Sequence, residues 1–269
     1  GSVVHSTRYW YLIYFHCLSW IDSYYEALEF LYWEPQHLGR KTNPVAELNT
    51  LEKVKRRLRR MEVTLNHNIA QFFLLAPDSF RNDLFAELFA QPFTGRLEMF
   101  GRAAELELEL VNSMQPDLAF VSEVDVVSLE MKVGSKSSVT QVLKYALLGL
   151  AVEMRVGMPR SHYLALLGPG RFDTLWQARF ETLSDLSNAI AEADLAEFLR
   201  KQPVRFRSNQ DRFNQIVQNM RVSFLNYDRL AAFLRRSSPS EREQSPGAEV
   251  YRKLLAGMLG ELTIRNLTT

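Results

Sequence analysis

Three ionisable side chains stand out in the largely apolar stretch of residues 115–133. Asp117 lies near its beginning, and Glu130 and Lys132 lie two residues apart near its end. The pattern predicts two strands joined by a tight turn centred on residues 123 and 124, which places Asp117 opposite Glu130. Directly opposed residues of an antiparallel pair share a face and lie about 5 Å apart. Lys132 lies on the same face, because side chains alternate along a strand.

This combination of side chains points to a metal and a phosphate. Two carboxylates at that distance repel each other unless a cation compensates their charge, and oxygen ligands of this kind suit Mg²⁺ or Mn²⁺. Mg²⁺ is commonly held by one or two carboxylates, with water and a substrate phosphate completing its coordination. A lysine beside such a site stabilises developing negative charge or orients an attacking water. Together these groups predict metal-dependent hydrolysis of a phosphodiester bond.

Helices and strands must surround the hairpin to position these groups. Residues 78–90 and 139–154 have helical patterns, and residues 161–170 predict a short strand ended by a Gly-Pro-Gly turn. Before the hairpin, Glu105, Glu107 and Glu109 alternate with leucines, which is the period of a half-exposed strand.

Two motifs in this segment resemble those of a known family. Pro116-Asp117, followed after twelve residues by Glu130-Met131-Lys132, resembles the active-site signature of the PD-(D/E)XK nuclease superfamily. Gln141 and Tyr145, four apart and so on one face of the helix over 139–154, resemble the Q-x-x-x-Y motif of its RecB-like and lambda-exonuclease-like branch. The resemblance covers roughly residues 78–170 and matches the family's order of helices and strands.

The resemblance implies an α/β fold with a restriction-endonuclease-like core. In that core a mixed four-stranded sheet is flanked by helices in the order αβββαβ. The resemblance also implies Mg²⁺ or Mn²⁺ as the cofactor, bound by Asp117 and Glu130. Lys132 would then act on the attacking water or on the charge of the transition state.

Further site residues follow from the same resemblance. Gln141 and Tyr145 would position the nucleic acid strand. The family often adds an acidic metal ligand from the helix before the first strand. Glu87 is the candidate here, with Asp83 as the second choice, although both could line a solvated helix face.

Residues 45–65 predict an amphipathic helix with a basic surface. Its apolar residues recur at helical spacing at Leu48, Leu51, Val54, Leu58, Met61 and Leu65. Contact with a phosphate backbone is driven by charge, so the basic side chains between them are candidates for binding nucleic acid. These candidates are Lys53, Arg56, Arg57 and Arg60. The alternative is a solvated face whose charge is balanced elsewhere.

The segment of residues 8–33 is unusually rich in aromatic side chains. Its first part, "RYWYLIYF", favours a strand, and "DSYYEALEFLYWE" favours a helix capped by Asp22 or Ser23. We favour an aromatic core, or a face for a homodimer or protein partner, over a platform on which nucleic acid bases stack.

The whole chain of 269 residues is long enough to bury a sizeable core. We divide it into an aromatic-rich and basic helical segment (1–77), a nuclease-like core (78–170) and a helical C-terminal region (171–269), within one compact unit. The net charge of +1 means that any binding of nucleic acid depends on local patches. A single cysteine, Cys17, fits a reducing compartment, and no apolar run approaches the roughly 20 residues that span a bilayer. We therefore expect a cytoplasmic protein that binds no membrane.

Three hypotheses compete. The leading one is a metal-dependent deoxyribonuclease, with DNA rather than RNA as its substrate. The second is a module that keeps the nuclease fold but only binds nucleic acid or a protein partner, and the intact Asp117, Glu130 and Lys132 argue against it. The third is a helical scaffold in which Glu130 and Lys132 form an ordinary surface ion pair far from any cleft.

Overall fold

A mixed β-sheet organises the part of the chain that the structure describes. The computed structural model describes residues 19–33, 51–101, 108–110, 116–176 and 179–268. Its strands are β1 (Glu98–Met99), β2 (Leu118–Val121), β3 (Asp125–Met131), β4 (Ser161–Gly168) and β5 (Arg221–Asn226). Its α-helices are α1 (Trp20–Trp33), α2 (Leu51–Arg60), α3 (Glu62–Leu75), α4 (Asp78–Phe89), α5 (Val139–Val156), α6 (Leu183–Ala191), α7 (Leu195–Arg200), α8 (Val204–Arg207), α9 (Gln210–Asn219), α10 (Tyr227–Arg236) and α11 (Pro246–Ile264). None of the helices in these ranges is both long enough and apolar enough to span a lipid bilayer.

The five strands lie side by side in the order in which they occur in the chain. β1, β2 and β3 pair antiparallel, whereas β4 is parallel to both β3 and β5. The predicted hairpin register is confirmed, since Leu118 pairs with Leu129. Continued by one residue, this register brings Asp117 beside Glu130. Within the described residues the fold is therefore α/β, with helices flanking a five-stranded mixed sheet.

β3 is buried along its whole length, because helices cover both of its faces. Val127, Leu129 and Met131 pack with α3, α4, α10 and α11 in one hydrophobic cluster. Val126, in the alternate row, packs with α5, α6 and α9 in the other cluster. Glu130 belongs to the row of Val126, so it lies beneath α5 and not on an open surface.

α5 connects the hairpin to β4. The side chain of Ser138 caps its first turn by accepting from the backbone N of Gln141 at 3.3 Å, and Gly157 ends it in the left-handed conformation with φ 74°. These signals confirm the helix predicted over 139–154, which extends to Val156. Because α5 crosses the sheet, β4 returns parallel to β3.

The predicted strand around Glu105 does not begin the sheet that the structure describes. Residues 102–107 and 111–115 lie outside the described part of the chain. Between them Glu109 has φ 57° and lies in a turn, so the alternation does not continue as a strand there. The first described strand is instead the short β1, in which Glu98 pairs with Val121.

The prediction that the chain beyond residue 170 is helical is wrong at β5. α9 ends at Asn219, Met220 has an extended backbone, and the chain then pairs with β4. The sheet therefore has five described strands instead of the four predicted. Val222 and Phe224 favour a strand, but the helical patterns on either side conceal so short a segment. Its hydrogen-bonding partner, β4, lies far away in the sequence.

The helix predicted over 45–65 is two helices. Residues 45–50 lie outside the described part of the chain, and Met61 has an extended backbone between α2 and α3. Leu58 and Leu65 are buried, as the helical spacing predicts. They belong to different hydrophobic clusters, however, so the two helices cover different parts of the core.

Arg265 stabilises the break between α2 and α3. Its guanidinium donates to the carbonyl oxygens of Arg59 and Met61 at 2.8 and 3.0 Å. The carboxylate of Glu261, also buried, balances its charge at 2.5 Å. Because these carbonyl groups have a partner, α3 can begin in a new direction with Glu62 in its first turn.

The described part of the aromatic segment packs into the fold. Residues 8–18, which include the predicted strand, lie outside the described part of the chain. In α1, the Trp20 indole donates to the carbonyl oxygen of Leu254 at 3.2 Å, and the Tyr25 hydroxyl donates to Glu261 at 3.0 Å. These contacts with α11 agree with the interpretation of the described aromatic residues as core.

A pair of glycines in α11 tests the packing of α1. A Cβ at Gly257 would overlap the Trp20 indole, whereas a Cβ at Gly260 would meet no atom within 4 Å. We expect Gly257→Ala to lower the free energy of unfolding by about 1–3 kcal/mol through overpacking. Gly260→Ala should raise it by about 0.5–1 kcal/mol, because alanine favours a helix over glycine. Urea unfolding of both variants measures these changes, and a stabilising Gly257→Ala would contradict the described contact.

Candidate active site

Asp117, Glu130 and Lys132 converge at one end of the β2–β3 hairpin. Asp117 directly precedes β2, Glu130 is the penultimate residue of β3, and Lys132 follows β3. The Oδ2 atom of Asp117 accepts a hydrogen bond from the backbone N of Met131 at 2.6 Å, which fixes Asp117 against β3. The Nζ atom of Lys132 forms an ion pair with Oε1 of Glu130. The expected two carboxylates and one amine therefore lie together.

The carboxylate of Glu130 is buried and receives hydrogen bonds on both oxygens. Glu130 is 2% exposed. Gln141 Nε2 and Lys132 Nζ donate to Oε1, and the Tyr145 hydroxyl donates to Oε2. A buried carboxylate without such partners would be strongly destabilising. Gln141 and Tyr145 thus orient Glu130 from one face of α5.

The hypothesis of an ordinary surface ion pair is wrong. Glu130 and Lys132 are both buried, at 2% and 8% exposure. They also lie next to a second carboxylate, that of Asp117, whose backbone N donates to the Tyr145 hydroxyl at 3.4 Å. An exposed pair on a scaffold helix would have none of these contacts.

α3 contributes Asn66, which the sequence analysis did not identify. Its Nδ2 donates to Oδ1 of Asp117 at 2.5 Å. Glu62 lies one turn earlier on the same helix, and a four-residue spacing of two polar residues is visible in the sequence. That spacing alone does not distinguish a site from a solvated face. The break at Met61 directs the first turn of α3 toward the hairpin, and the neighbouring sequence does not indicate this break.

Glu62 holds the loop that follows β3. Its Oε1 accepts from the backbone N of Val133 at 3.0 Å and from Oγ of Ser135 at 2.6 Å. Burial raises the pKa of Glu62, but the hydrogen bonds from Ser135 and Val133 outweigh burial, so its pKa lies below its usual value. Glu62 is therefore an ionised carboxylate, and its charge acts on the neighbouring Lys132.

Glu87, predicted as the acidic residue from a helix, pairs elsewhere. Its carboxylate contacts Arg236 of α10 at 2.8 Å, and both side chains are largely exposed. Asp83, the second choice, is exposed as well. Glu87 therefore lies away from the site, and the helix carboxylate beside Lys132 is Glu62 of α3.

The direction of α4 explains this correction. Gln91, just beyond α4, donates to the hydroxyl of Tyr163 near the start of β4. The backbone N of Lys132 instead donates to the carbonyl oxygen of Leu167, four residues further along β4, at 2.8 Å. Four residues of strand correspond to about 13 Å. The C-terminal end of α4 therefore lies at the other end of the sheet from the site.

Carboxyl groups outnumber positive charges at the site. Burial and the neighbouring charge of Glu130 raise the pKa of Asp117 to about 7. Burial lowers the pKa of Lys132, but attraction to Glu130 outweighs it, so the pKa is raised and Lys132 is an ammonium. Burial, followed by the charge of Glu130, raises the pKa of Tyr145 well above its usual value, so its hydroxyl is a neutral donor.

The donor set fits a divalent cation that keeps part of its water shell. If a divalent cation displaced the proton of Asp117, the carboxylates of Asp117, Glu130 and Glu62 would exceed the single charge of Lys132 by two, which that cation would balance. Each carboxylate has about four acceptor positions, so Asp117 and Glu130 both retain lone pairs beside their hydrogen bonds. Among the described residues, however, no three acidic, histidine or cysteine side chains form a metal site. A cation here would take its remaining ligands from water and substrate.

A cavity of about 480 Å³ opens beside Asp117. Asn66 and His67 of α3 form one wall, and Met99 and Phe100 border it on the β1 side. Asp117 lines the cavity directly, so the site borders a space that a ligand could enter.

The basic face predicted on α2 is exposed. Leu58 is buried on the opposite side of the helix, next to Ile21 and Tyr25 of α1. α2 ends two residues before Glu62 in the sequence. The exposed candidates for backbone contact are Lys53, Arg56, Arg57 and Arg60. Their contact with nucleic acid stays a prediction.

No protein-family model matches this sequence, and no curated protein or solved structure is significantly similar to it. The resemblance to PD-(D/E)XK nucleases therefore depends on the motifs themselves.

The raised pKa of Asp117 predicts that replacing its carboxyl group with a neutral amide stabilises the protein by an amount that depends on pH. The folded state retains a proton that the unfolded chain releases between about pH 4 and pH 7, so stability of the metal-free protein falls as pH rises through this window. In Asp117→Asn the side-chain amide of Asn66 can flip so that its Oδ1 accepts from the new amide, because this Oδ1 has no hydrogen-bond partner in the parent. We expect the unfolding free energy of Asp117→Asn to match that of the parent near pH 4 and to exceed it by about 2 kcal/mol at pH 8.

Urea unfolding in the presence of a chelator measures both values. The difference between variant and parent cancels other titrating groups. A difference that stays constant from pH 4 to pH 8 would contradict the raised pKa.

Proposed function

We propose that this protein is a Mg²⁺- or Mn²⁺-dependent nuclease with a restriction-endonuclease-like core that hydrolyses phosphodiester bonds in DNA. The observation that carries the proposal is the convergence of Asp117, Glu130 and Lys132 at one end of the hairpin, with Gln141 and Tyr145 both bonded to Glu130. The element order α4, β1, β2, β3, α5, β4 supports the proposed core, with β5 as an addition.

Each residue of the site would have its own chemical role. A bound Mg²⁺ or Mn²⁺ would supply an activated water and polarise the phosphate. Asp117 and Glu130 are the side chains that would hold the cation. Lys132 is an ammonium, so it acts as a hydrogen-bond donor and not as a general base. It is suited to stabilise the negative charge that develops on the phosphate oxygens.

The resemblance assigns Gln141 and Tyr145 to the nucleic acid, whereas their described contacts are with Glu130. We propose that they hold this carboxylate in position for the cation. The Asn66 amide acts in the same way on Asp117. Both carboxylates are therefore oriented before a substrate arrives, which lowers the cost of binding a cation.

The approach of DNA follows from the cavity and from α2. The cavity beside Asp117 admits a phosphate group to the site. The exposed basic side chains of α2 would contact neighbouring phosphates, which is a charge-driven contact and independent of base sequence.

A second candidate function is a nuclease-fold module that binds nucleic acid without cleaving it. The observation that favours it is that, in the described part of the chain, only two carboxylates and no third metal-binding side chain meet at the proposed cation position. Incubation with linear, circular, single-stranded and double-stranded DNA, in Mg²⁺, in Mn²⁺ and with chelator, separates the two functions. Cleavage that requires the metal supports the nuclease, and binding without cleavage supports the module.

Lys132 is the decisive residue for the nuclease. We expect Lys132→Ala to reduce metal-dependent cleavage by about 10²–10³-fold, the usual effect of removing one preorganised donor to a developing charge. Lys132→Met, which keeps the length of the buried side chain, should show the same loss. Single-turnover cleavage assays measure the rate, and circular dichroism checks the fold.

Lys136→Ala is the matched control. Lys136 is exposed and donates to the carbonyl oxygen of Thr174 at 2.5 Å, away from Glu130. Its removal should leave cleavage unchanged. Undiminished cleavage by a folded Lys132→Met variant would overturn the proposed mechanism.

The basic face of α2 predicts a salt effect on DNA binding. Arg57→Ala and Arg60→Ala should each weaken binding of any DNA sequence and reduce the slope of log K against log salt by about 1. Fluorescence anisotropy at several salt concentrations, with chelator to prevent cleavage, measures the slope. Arg200→Ala, which removes an exposed arginine paired with Glu197 on α7, is the control and should leave the slope unchanged. If all three variants had the same slope as the parent, α2 would not contact the DNA backbone.

A further inference from the structure

A second polar cavity lies at the amino ends of the parallel strands β4 and β5. Its volume is about 360 Å³. Three arginines line it, one before β4, one on α9 and one that begins β5. They are Arg160, Arg212 and Arg221.

This cavity is separate from the candidate active site. His162, which lines it, pairs with Val126 of β3, whereas Glu130 pairs with Leu166. The two pairs are four positions apart, which corresponds to about 13 Å along the strands. No residue that lines this cavity belongs to the cluster around Asp117.

A buried carboxylate, that of Glu153, contacts three of the residues that line the cavity. Glu153, at the end of α5, accepts from Arg212 Nε and Nη2 at 2.6 Å each and contacts His162 Nε2 at 2.8 Å. Glu153 also accepts from the backbone N of Arg160 at 2.7 Å. Burial lowers the pKa of His162 and outweighs the opposing effect of Glu153. Glu153 therefore balances the charge of Arg212.

Arg160 and Arg221 have no such balance. Arg160 Nε donates to the carbonyl oxygen of Ser122 at 2.9 Å, and Arg221 Nη1 donates to Gln91 Oε1. These partners are neutral, and within the described residues neither arginine forms an ion pair with a carboxylate. An arginine has five N–H donors, so most donors of Arg221 are available at the cavity.

The side chains at the rim are amides. Gln215 and Asn219 lie one turn apart on α9, and both line the cavity. Gln215 Oε1 accepts from Arg212 Nη1 at 3.0 Å, and Asn219 Nδ2 donates to the carbonyl oxygen of Gln215 at 2.9 Å. Gln215 Nε2 and Asn219 Oδ1 would therefore be available to a ligand as one donor and one acceptor.

We propose that this cavity binds a phosphorylated small molecule of mononucleotide size. Two uncompensated guanidinium groups attract a dianion, and guanidinium groups are well suited to phosphate because they donate paired hydrogen bonds. The volume lies in the range of small-ligand pockets, about 300–1,000 Å³. The amides of Gln215 and Asn219 would bind the polar part of the ligand beyond its phosphate. The proposal is independent of the nuclease function, because it uses other residues.

Isothermal titration with AMP as the probe tests the proposal, with adenosine as the uncharged comparison. We expect saturable binding of AMP, competition by inorganic phosphate and no binding of adenosine. Arg221→Ala should weaken AMP binding about tenfold to hundredfold, the effect of losing a charge-assisted hydrogen bond. Arg221 is exposed and has one neutral partner, so its removal should leave the fold intact.

Further variants make the test specific. Asn219→Asp, which adds a negative charge at the rim, should also weaken AMP binding, whereas Arg200→Ala should not. Lys132→Met should bind AMP like the parent, which separates this cavity from the candidate active site.

Three results would overturn the proposal. They are absence of saturable AMP binding, equal affinity in the parent and Arg221→Ala, and binding of a short single-stranded oligonucleotide that depends on Arg221 while AMP does not bind. The last result would assign the arginines to a nucleic acid backbone.

Discussion

The buried carboxylate of Glu130 imposes the constraint on which the rest of the site depends. A carboxylate at 2% exposure is tolerated only with close partners, and these are Lys132, which follows β3, and two residues of α5. α5 must therefore cross directly over the end of β3, with Gln141 and Tyr145 turned toward the sheet. The fold of the hairpin and the position of α5 are thus coupled through one side chain.

A second buried charged residue, Arg265, positions α3 beside the site. Arg265 bonds to the carbonyl groups at the break between α2 and α3 and pairs with Glu261. This contact between the C-terminal helix and an early part of the chain directs α3 so that Asn66 reaches Asp117. Residues far outside the motif segment therefore position one of its two carboxylates.

The two ends of the sheet have opposite electrostatic character. At the carboxyl end of β3, carboxylates outnumber the ammonium, and the arrangement favours a cation. At the amino ends of β4 and β5, arginines outnumber the carboxylate, and the arrangement favours an anion. β5 makes this second arrangement possible, because Arg221 is its first residue.

Local sequence patterns were sufficient to predict the hairpin and the helix that follows it. The turn between β2 and β3 and the alternation of apolar residues define the hairpin register, so the proximity of Asp117 and Glu130 follows from neighbouring residues. The extent of α5 follows from Ser138 and Gly157, its two capping residues. β5 and the role of Glu62 could not be predicted in this way, because β4 pairs with β5 and the hairpin contacts α3 across long stretches of sequence.

The sequence by itself therefore determined the hairpin, the helix that follows it and the set of groups they bring together. Only the tertiary structure decided which helix supplies the additional carboxylate, which residues complete the sheet and how deeply Glu130 is buried. The physical reason is the range of the interactions. Strand alternation and helix capping act over a few residues, whereas the pairing of β5 and the contact of Glu62 with Ser135 join residues that meet only after the chain has folded.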